Sequence, residues 1–119
     1  MTALITRDEF LEREAAAMSE ATLQARVVDL ARELGYLAYH THDSRRSQPG
    51  YPDLHLVSLR RGRSLMRELK TQTGRTRPDQ RTWLEALAAS GVDVGIWRPM
   101  DLLDGTVLET LTASPKERP

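Results

Sequence analysis

The sequence predicts an α/β domain in which helices flank a mixed β-sheet, with the elements in the order α-β-β-β-α-β. Two observations predict this class. Segments with apolar residues at helical spacing lie on both sides of a central region of short apolar runs. Those short runs are separated by turn-forming residues, as expected of strands. With 119 residues, the chain fits one domain with one hydrophobic core.

The N-terminal part of the sequence predicts two helices. Thr6 and Glu9 have the spacing of a capping box, so a short helix should run through Met18. Ser19 can cap a second helix, and Gly35 ends it. This second helix has apolar residues at the spacing of one helix face: Leu23, Val27, Leu30, Ala31 and Leu34.

Four strands are predicted, at residues 36–41, 53–59, 64–70 and 92–98. The second and third are joined by a turn around Gly62, so they should form a hairpin. Pro78 suits the first turn of a further helix, which runs to about Ser90 and ends at Gly91. The remainder through Leu111 predicts a weak helix. We therefore divide the chain into an N-terminal helical arm at 1–18, a domain at 19–111 and a flexible tail at 112–119.

The composition excludes several classes of protein. The chain has no cysteine, which excludes disulfides and thiolate metal sites and suits a reducing cytoplasm. No apolar run approaches the roughly 20 residues that a membrane span needs. The N-terminus lacks the basic and apolar pattern of a signal peptide. We therefore expect a cytoplasmic protein with no membrane partner.

The charge distribution is uneven although the net charge is zero. Residues 45–81 include ten basic residues and three acidic ones, a local net charge of +7. A segment of this kind can bind a phosphate-rich partner. A solvated surface, or a basic interaction surface for a partner other than nucleic acid, explains the same count.

Three charged residues of the predicted hairpin indicate metal-dependent hydrolysis. Glu68 and Lys70 lie two positions apart in a strand, so they face the same side of the sheet. Asp53 begins the neighbouring strand, which places its carboxylate beside that of Glu68. Two converging carboxylates repel each other unless a cation lies between them, and carboxylate oxygens suit Mg²⁺. Lys70 can orient or deprotonate a water, or stabilise charge in the transition state, so the set predicts a hydrolytic nuclease site.

The histidines suggest a different metal site, which the sequence disfavours. His40 and His42 alternate along one predicted strand, and His55 shares the strand face of Asp53. A zinc site would need further ligands, and the sequence has neither cysteine nor a pair of histidines at helical metal-binding spacing. His55 either tunes the acidic site or fills space beside it.

The ordered motifs of the hairpin and the following helix resemble those of a known nuclease superfamily. The matching residues are Gly50-x-Pro52-Asp53, then Glu68-x-Lys70, then Gln80-x-x-Trp83. They resemble the PD-(D/E)XK nucleases and, among these, the stand-alone VRR-NUC family that is common in phages. The resemblance spans roughly 19–98. It implies a restriction-endonuclease-like core and a VRR-NUC nuclease domain at 19–111.

The resemblance also implies roles for individual residues. The metal ligands would be Asp53, Glu68 and the backbone carbonyl of Leu69, with Mg²⁺ as the cofactor and Mn²⁺ as a substitute. Lys70 would be the catalytic lysine, and Gln80 would join the catalytic set from the next helix. The spacing of Gln80 with Trp83 also predicts that it points inward, with a polar helix-start residue as the alternative. Trp83 and Trp97 are expected in the core.

Glu20 is a tentative further metal ligand, by analogy with a helix glutamate of related resolvases. A first-turn acid favoured by the helix dipole explains it almost as well.

Polar and basic residues on both sides of the motif are candidates for DNA contacts: Ser44, Arg45, Arg46, Arg75 and Arg77. Each arginine could instead be an ordinary surface residue. Stand-alone relatives resemble Holliday-junction resolvases and are dimeric, so the resemblance implies a homodimeric endonuclease acting on branched DNA, in a bacterial host cell if a phage encodes it. The alternative is a DNA-binding or assembly module that retains the fold without catalysis.

Overall fold

The computed structural model of the chain describes residues 4–41 and 48–113. In these ranges the helices are α1 (Arg7–Ala17), α2 (Glu20–Glu33), α3 (Pro78–Ala89), α4 (Pro99–Leu103) and α5 (Thr106–Thr112). The strands are β1 (Leu37–His40), β2 (Leu54–Ser58), β3 (Arg63–Leu69) and β4 (Val94–Trp97).

The four strands form one mixed sheet in the order β1-β2-β3-β4. β1 pairs with β2 and β2 pairs with β3 in antiparallel fashion, whereas β3 pairs with β4 in parallel. The sequence-based expectation of a mixed α-β-β-β-α-β sheet with a β2–β3 hairpin is therefore confirmed. The parallel pairing follows from α3, which connects β3 to β4 as a crossover helix.

The N-terminal helices begin where the sequence predicts. The side-chain oxygens of Thr6 and Ser19 accept hydrogen bonds from the backbone N–H groups of Glu9 (3.0 Å) and Thr22 (3.1 Å). Thr6 and Ser19 are thus true helix caps. α1, in the segment predicted as an arm, packs against α4, and Ala15 is fully buried.

The C-terminal part forms two short helices rather than one weak helix. Pro99 occupies the first turn of α4, where its missing N–H costs no helical hydrogen bond. Gly105 follows with φ of 91°, a left-handed conformation that ends α4 and allows the chain to turn into α5. The predicted tail at 112–119 lies largely outside the described residues.

The hydrophobic core lies between one face of the sheet and helices α2 and α5. Its main members are Leu23, Val27 and Ala31 of α2, Leu54, Leu56, Leu65, Leu69 and Trp97 of the sheet, and Val107 and Leu111 of α5. Tyr36 closes the core, because its hydroxyl donates a hydrogen bond to the carbonyl of Leu111 at 2.7 Å. The core therefore fixes β3, whose opposite face bears Glu68.

The opposite sheet face is only partly covered. In β1, Leu37 and Tyr39 point outward and are 76% and 69% exposed. Beside them, the imidazole Nε2 of His55 lies 2.7 Å from the hydroxyl of Ser64, which links the two hairpin strands. Trp97 is buried as predicted, but Trp83 is outside the core and only half-buried.

Across the described parts of the chain, no helix is long and apolar enough to cross a membrane.

Candidate active site

The two acidic residues predicted from the sequence meet at one end of the β2–β3 hairpin. Glu68 is near the end of β3, and Asp53 immediately precedes β2. Because these strands are antiparallel, the start of β2 lies beside the end of β3. The carboxylate Oδ2 of Asp53 accepts a hydrogen bond from the backbone N–H of Leu69 at 3.1 Å. The sheet itself therefore holds Asp53 next to Glu68.

Gln80, the buried residue of α3, orients Glu68. Its side-chain Nε2 donates a hydrogen bond to Oε2 of Glu68 at 2.8 Å. Its Oε1 accepts a hydrogen bond from the backbone N–H of Arg77 at 2.9 Å. The backbone donor requires the amide oxygen on that side, so the amide NH₂ must face the carboxylate. The inward orientation predicted for Gln80 is confirmed, and the start of α3 holds one oxygen of Glu68.

The environment of Glu68 disfavours a negative charge. Its side chain is 2% exposed. Burial, the neighbouring carboxyl of Asp53 and the charge of Glu20 together raise the pKa of Glu68 to about 9, although the charge of Lys70 acts in the opposite direction. Without a metal ion, Glu68 is therefore protonated at neutral pH. A cation at this point would replace the proton.

Lys70 and the acids share one cavity of about 300 Å³. Lys70 follows β3 directly and is 8% exposed, and its backbone N–H pairs with the carbonyl of Trp97 at 3.1 Å. Its ammonium makes no hydrogen bond to any side chain in residues 4–41 or 48–113. The charged and amide residues that line this acidic cavity are Glu20, Gln48, Asp53, Glu68, Lys70, Arg77 and Gln80.

The donor set fits a hard divalent cation. Within the described residues no group of three or more histidine or acidic side chains is placed to hold a metal ion. Mg²⁺ does not need one, since it commonly binds one or two carboxylates and completes its octahedron with water and substrate phosphate. Asp53 and Glu68 supply such a pair. The zinc interpretation of the histidines gains no support, since His40 lies 3.2 Å from the amide of Gln24 and His55 pairs with Ser64.

The loop before Asp53 packs tightly against the start of α3. Gly50 has φ of +88°, and a Cβ added to it would lie 2.6 Å from the backbone carbon and oxygen of Asp79. Only glycine fits this conformation and this contact. Next to it, the rings of Tyr51 and Trp83 meet edge to face with centroids 5.0 Å apart. These contacts join the elements that bear Asp53 and Gln80.

The predicted DNA-binding residues have different outcomes. Arg77 lines the acidic cavity and forms an exposed ion pair with Asp79 at 3.2 Å. Arg75 lines a second cavity. The other three fall outside the described residues: Ser44, Arg45 and Arg46.

Two of the ten basic residues counted as a possible phosphate footprint have a structural role. Arg63 and Arg67 are 9% and 8% exposed and both bind Asp93, at 3.1 and 3.0 Å. The count from the sequence therefore overestimated the positive surface. The alternation of the strand could have indicated this, because both arginines share a face with the buried Leu65 and Leu69.

A family of known proteins matches most of the chain. The model of a family described as the VRR-NUC domain matches residues 7–100. The chain belongs to the VRR-NUC family. The match extends from α1 to the start of α4, and so includes the hairpin, Gln80 and all of the sheet. Neither the curated proteins nor the solved structures compared with it gave a match.

Membership of the VRR-NUC family identifies the protein as a nuclease with a DNA substrate. The mixed sheet flanked by helices is the restriction-endonuclease-like fold of this family.

Proposed function

We propose that this VRR-NUC protein is a Mg²⁺-dependent endodeoxyribonuclease that hydrolyses phosphodiester bonds in branched DNA. One observation supports the proposal above all: the carboxyl groups of Asp53 and Glu68 converge in a single cavity that also contains Lys70. A protein that only binds DNA gains nothing from two acids facing phosphate groups, because they repel the ligand.

Asp53, Glu68 and the backbone carbonyl of Leu69 would hold the metal ion, and Mn²⁺ would substitute for Mg²⁺. Bound there, the ion would polarise the phosphodiester and lower the pKa of the attacking water. Lys70 would orient that water or stabilise negative charge on the phosphate oxygens. Gln80 acts through Glu68, whose Oε2 it contacts at 2.8 Å, and is therefore a positioning residue in this proposal.

Glu20 is retained as a weaker candidate ligand. It lies at the start of α2 on the wall of the same cavity, and its charge raises the pKa of Glu68. In the described residues it does not complete a three-carboxylate cluster. A contact through a metal-bound water would be compatible with both observations. Glu20→Gln should then weaken activation by Mg²⁺ without abolishing cleavage at saturating metal.

Cleavage of two DNA forms in parallel tests the proposal. Supercoiled plasmid and a synthetic four-way junction are incubated with the protein in Mg²⁺, Mn²⁺ or EDTA. Cutting should require a divalent ion, favour the junction and disappear in Lys70→Ala. Exposed Arg60, in the turn at the other end of the hairpin, gives a matched control, and Arg60→Ala should cut normally.

Two results would contradict the proposal. Binding of DNA without cutting in either metal would favour a non-catalytic DNA-binding or assembly module. Unchanged cutting by folded Lys70→Ala would show that this cavity does not perform the hydrolysis. Circular dichroism and thermal unfolding of Lys70→Ala would establish that the variant is folded.

We also propose that the protein acts as a homodimer in the cytoplasm. The exposed Leu37 and Tyr39 on the edge strand β1 support the dimer, because apolar edge residues favour contact with another chain. Sedimentation velocity should show a dimer for the wild type and a monomer for Tyr39→Glu. A wild type that sediments as a monomer at all concentrations would refute the dimer.

A further inference from the structure

A second cavity, of about 390 Å³, has the opposite charge, and its lining residue Thr76 is followed in the chain by Arg77 of the acidic cavity. It is lined by residues 72–76 of the loop after β3, together with Arg81 of α3 and Arg98 at the end of β4. None of these lining residues is acidic. A concave surface with three guanidinium groups and no carboxylate concentrates anions rather than cations.

The shape of this basic cavity is fixed by Arg98. Its Nη1 donates hydrogen bonds to the carbonyls of Thr71 and Gly74, both at 2.7 Å. The side-chain Oε1 of Gln72 in turn accepts a hydrogen bond from the backbone N–H of Met100 at 3.0 Å. The loop is therefore held by Arg98, which follows β4, and by the first turn of α4. Such preorganisation lowers the cost of ordering the loop when a ligand binds.

Two further arginines are available at the rim. Arg81 is oriented by Thr76, because its Nη1 donates hydrogen bonds to the carbonyl of Thr76 at 2.7 Å and to its hydroxyl at 3.4 Å. Arg75 is exposed and makes no hydrogen bond or ion pair with the described residues. Guanidinium groups present paired donors that match the oxygens of a phosphate. This geometry favours a phosphodiester over a single carboxylate or a neutral ligand.

The loop after β3 connects the two cavities along the chain. It begins directly after Lys70, and Thr76 on the basic cavity is followed by Arg77 on the acidic cavity. A DNA strand with its scissile phosphate at Asp53 and Glu68 would meet Arg77 and then the basic cavity. This step depends on the proposed function.

We propose that the basic cavity is a second phosphate site, which holds a neighbouring phosphodiester of the strand being cut. Arg75 and Arg81 contact the phosphate oxygens, and Arg98 keeps the loop in the receptive shape. The site anchors the strand on one side of the scissile bond, whereas the acidic cavity performs the hydrolysis.

The salt dependence of DNA binding tests the contacts. Binding of a fluorescein-labelled four-way junction is measured by anisotropy in EDTA, so that no cutting occurs, between 50 and 200 mM NaCl. Each phosphate contact removed should reduce the slope of log K against log salt by about 0.9. Arg75→Gln and Arg81→Gln should each show this reduction. Arg60→Gln, an exposed arginine at the far end of the hairpin, should keep the wild-type slope.

A chemical double-mutant cycle locates the phosphate. Single methylphosphonates, which lack the negative charge, are placed at successive positions around the cut site. One position should weaken binding to the wild type several-fold but cause no further loss in Arg75→Gln, because the two changes remove the same interaction. Losses that add at every position would refute a contact between Arg75 and one particular phosphate.

The outcomes separate this inference from the proposed function. If wild-type protein cuts in Mg²⁺ but both glutamine variants keep the wild-type salt slope, the second phosphate site is wrong and the nuclease proposal stands. If Arg75→Gln and Arg81→Gln reduce the slope while no metal supports cutting, the basic cavity binds DNA and the hydrolytic proposal fails.

Discussion

Strand β3 has buried charged residues on both of its faces, and the two groups are built differently. On the core face, Arg63 and Arg67 bind Asp93, and Arg67 also lies 4.9 Å above the ring of Trp97. On the other face, Glu68 lies beside a second acid, and its partners are one amide donor and the nearby Lys70. In the first group each charged residue has an oppositely charged partner, whereas the second has two acids and one lysine, so that ionising both acids requires an external cation.

The pKa values express the same difference. Burial acts to raise the pKa of Asp93. Arg67 and Arg63 outweigh this effect and lower the pKa below its ordinary value. Burial and Asp53 instead raise the pKa of Glu68 to about 9. Opposite pKa shifts for two acids near one strand distinguish the cluster that stabilises the fold from the one for which we propose cation binding, in line with the concentration of perturbed groups at functional sites.

Replacing Glu68 should have the largest effect on activity. Glu68→Gln retains the shape and the acceptor for Gln80 but removes the charge, so metal-dependent cleavage should fall by at least about 100-fold. The metal-free protein should become more stable at pH 8, because the wild type must take up a proton on Glu68 when it folds and glutamine removes that cost. Cleavage assays and urea unfolding in EDTA measure both effects. Lower stability together with full activity would contradict the assignment of Glu68.

Asp93→Asn should show the reverse pattern. It leaves Arg63 and Arg67 buried without their shared carboxylate and should cost about 3 kcal/mol in the free energy of unfolding. Cleavage per folded molecule should change little. Asp29, an exposed aspartate of α2, provides the control, and Asp29→Asn should change stability by less than about 0.5 kcal/mol. Equal changes in the free energy of unfolding for the two substitutions would contradict the structural role of the Asp93 cluster.

Gly50→Ala tests the packing that joins the Asp53 loop to α3. The matched control is Gly35→Ala, because Gly35 has a similar φ of +90° but no atom within 4 Å of an added Cβ. Both substitutions introduce backbone strain of about 1–2 kcal/mol. Only Gly50→Ala also displaces Asp79, so it should cost about 2 kcal/mol more and reduce cleavage as well. Identical unfolding free energies for the two variants would refute the tight contact.

The pH dependence of the metal-free protein should have two distinct limbs. The lowered pKa of Asp93 gives stability that is present above its unfolded pKa of about 3.9 and is lost as the pH falls further. The raised pKa of Glu68 gives stability that is lost as the pH rises from about 4.5 towards about 9. Urea unfolding across this range should show the second limb with a slope of at most about 1.4 kcal/mol per pH unit. That limb should vanish in Glu68→Gln, and a limb that persists there would have another cause.

Much of the site could be predicted from local patterns. Strand alternation and the hairpin placed Asp53 beside Glu68, and the spacing of α3 predicted the inward side of Gln80. The same alternation also applies to Arg63 and Arg67, yet a count of charges treated them as surface. Their partner Asp93 is 26 to 30 residues away along the chain, so no local pattern indicates that they are neutralised.

The sequence by itself determined the order of helices and strands, the hairpin and the set of acids and lysine at its open end, since caps, turns and alternation act over a few residues. The tertiary structure decided which charges remain without a partner. It directed Arg98 to the carbonyls of the 71–74 loop and Asp93 to the core-facing arginines, and it buried Glu68 to 2% exposure. The reason is that neutralisation of a buried charge depends on which distant residue the fold brings within hydrogen-bonding distance.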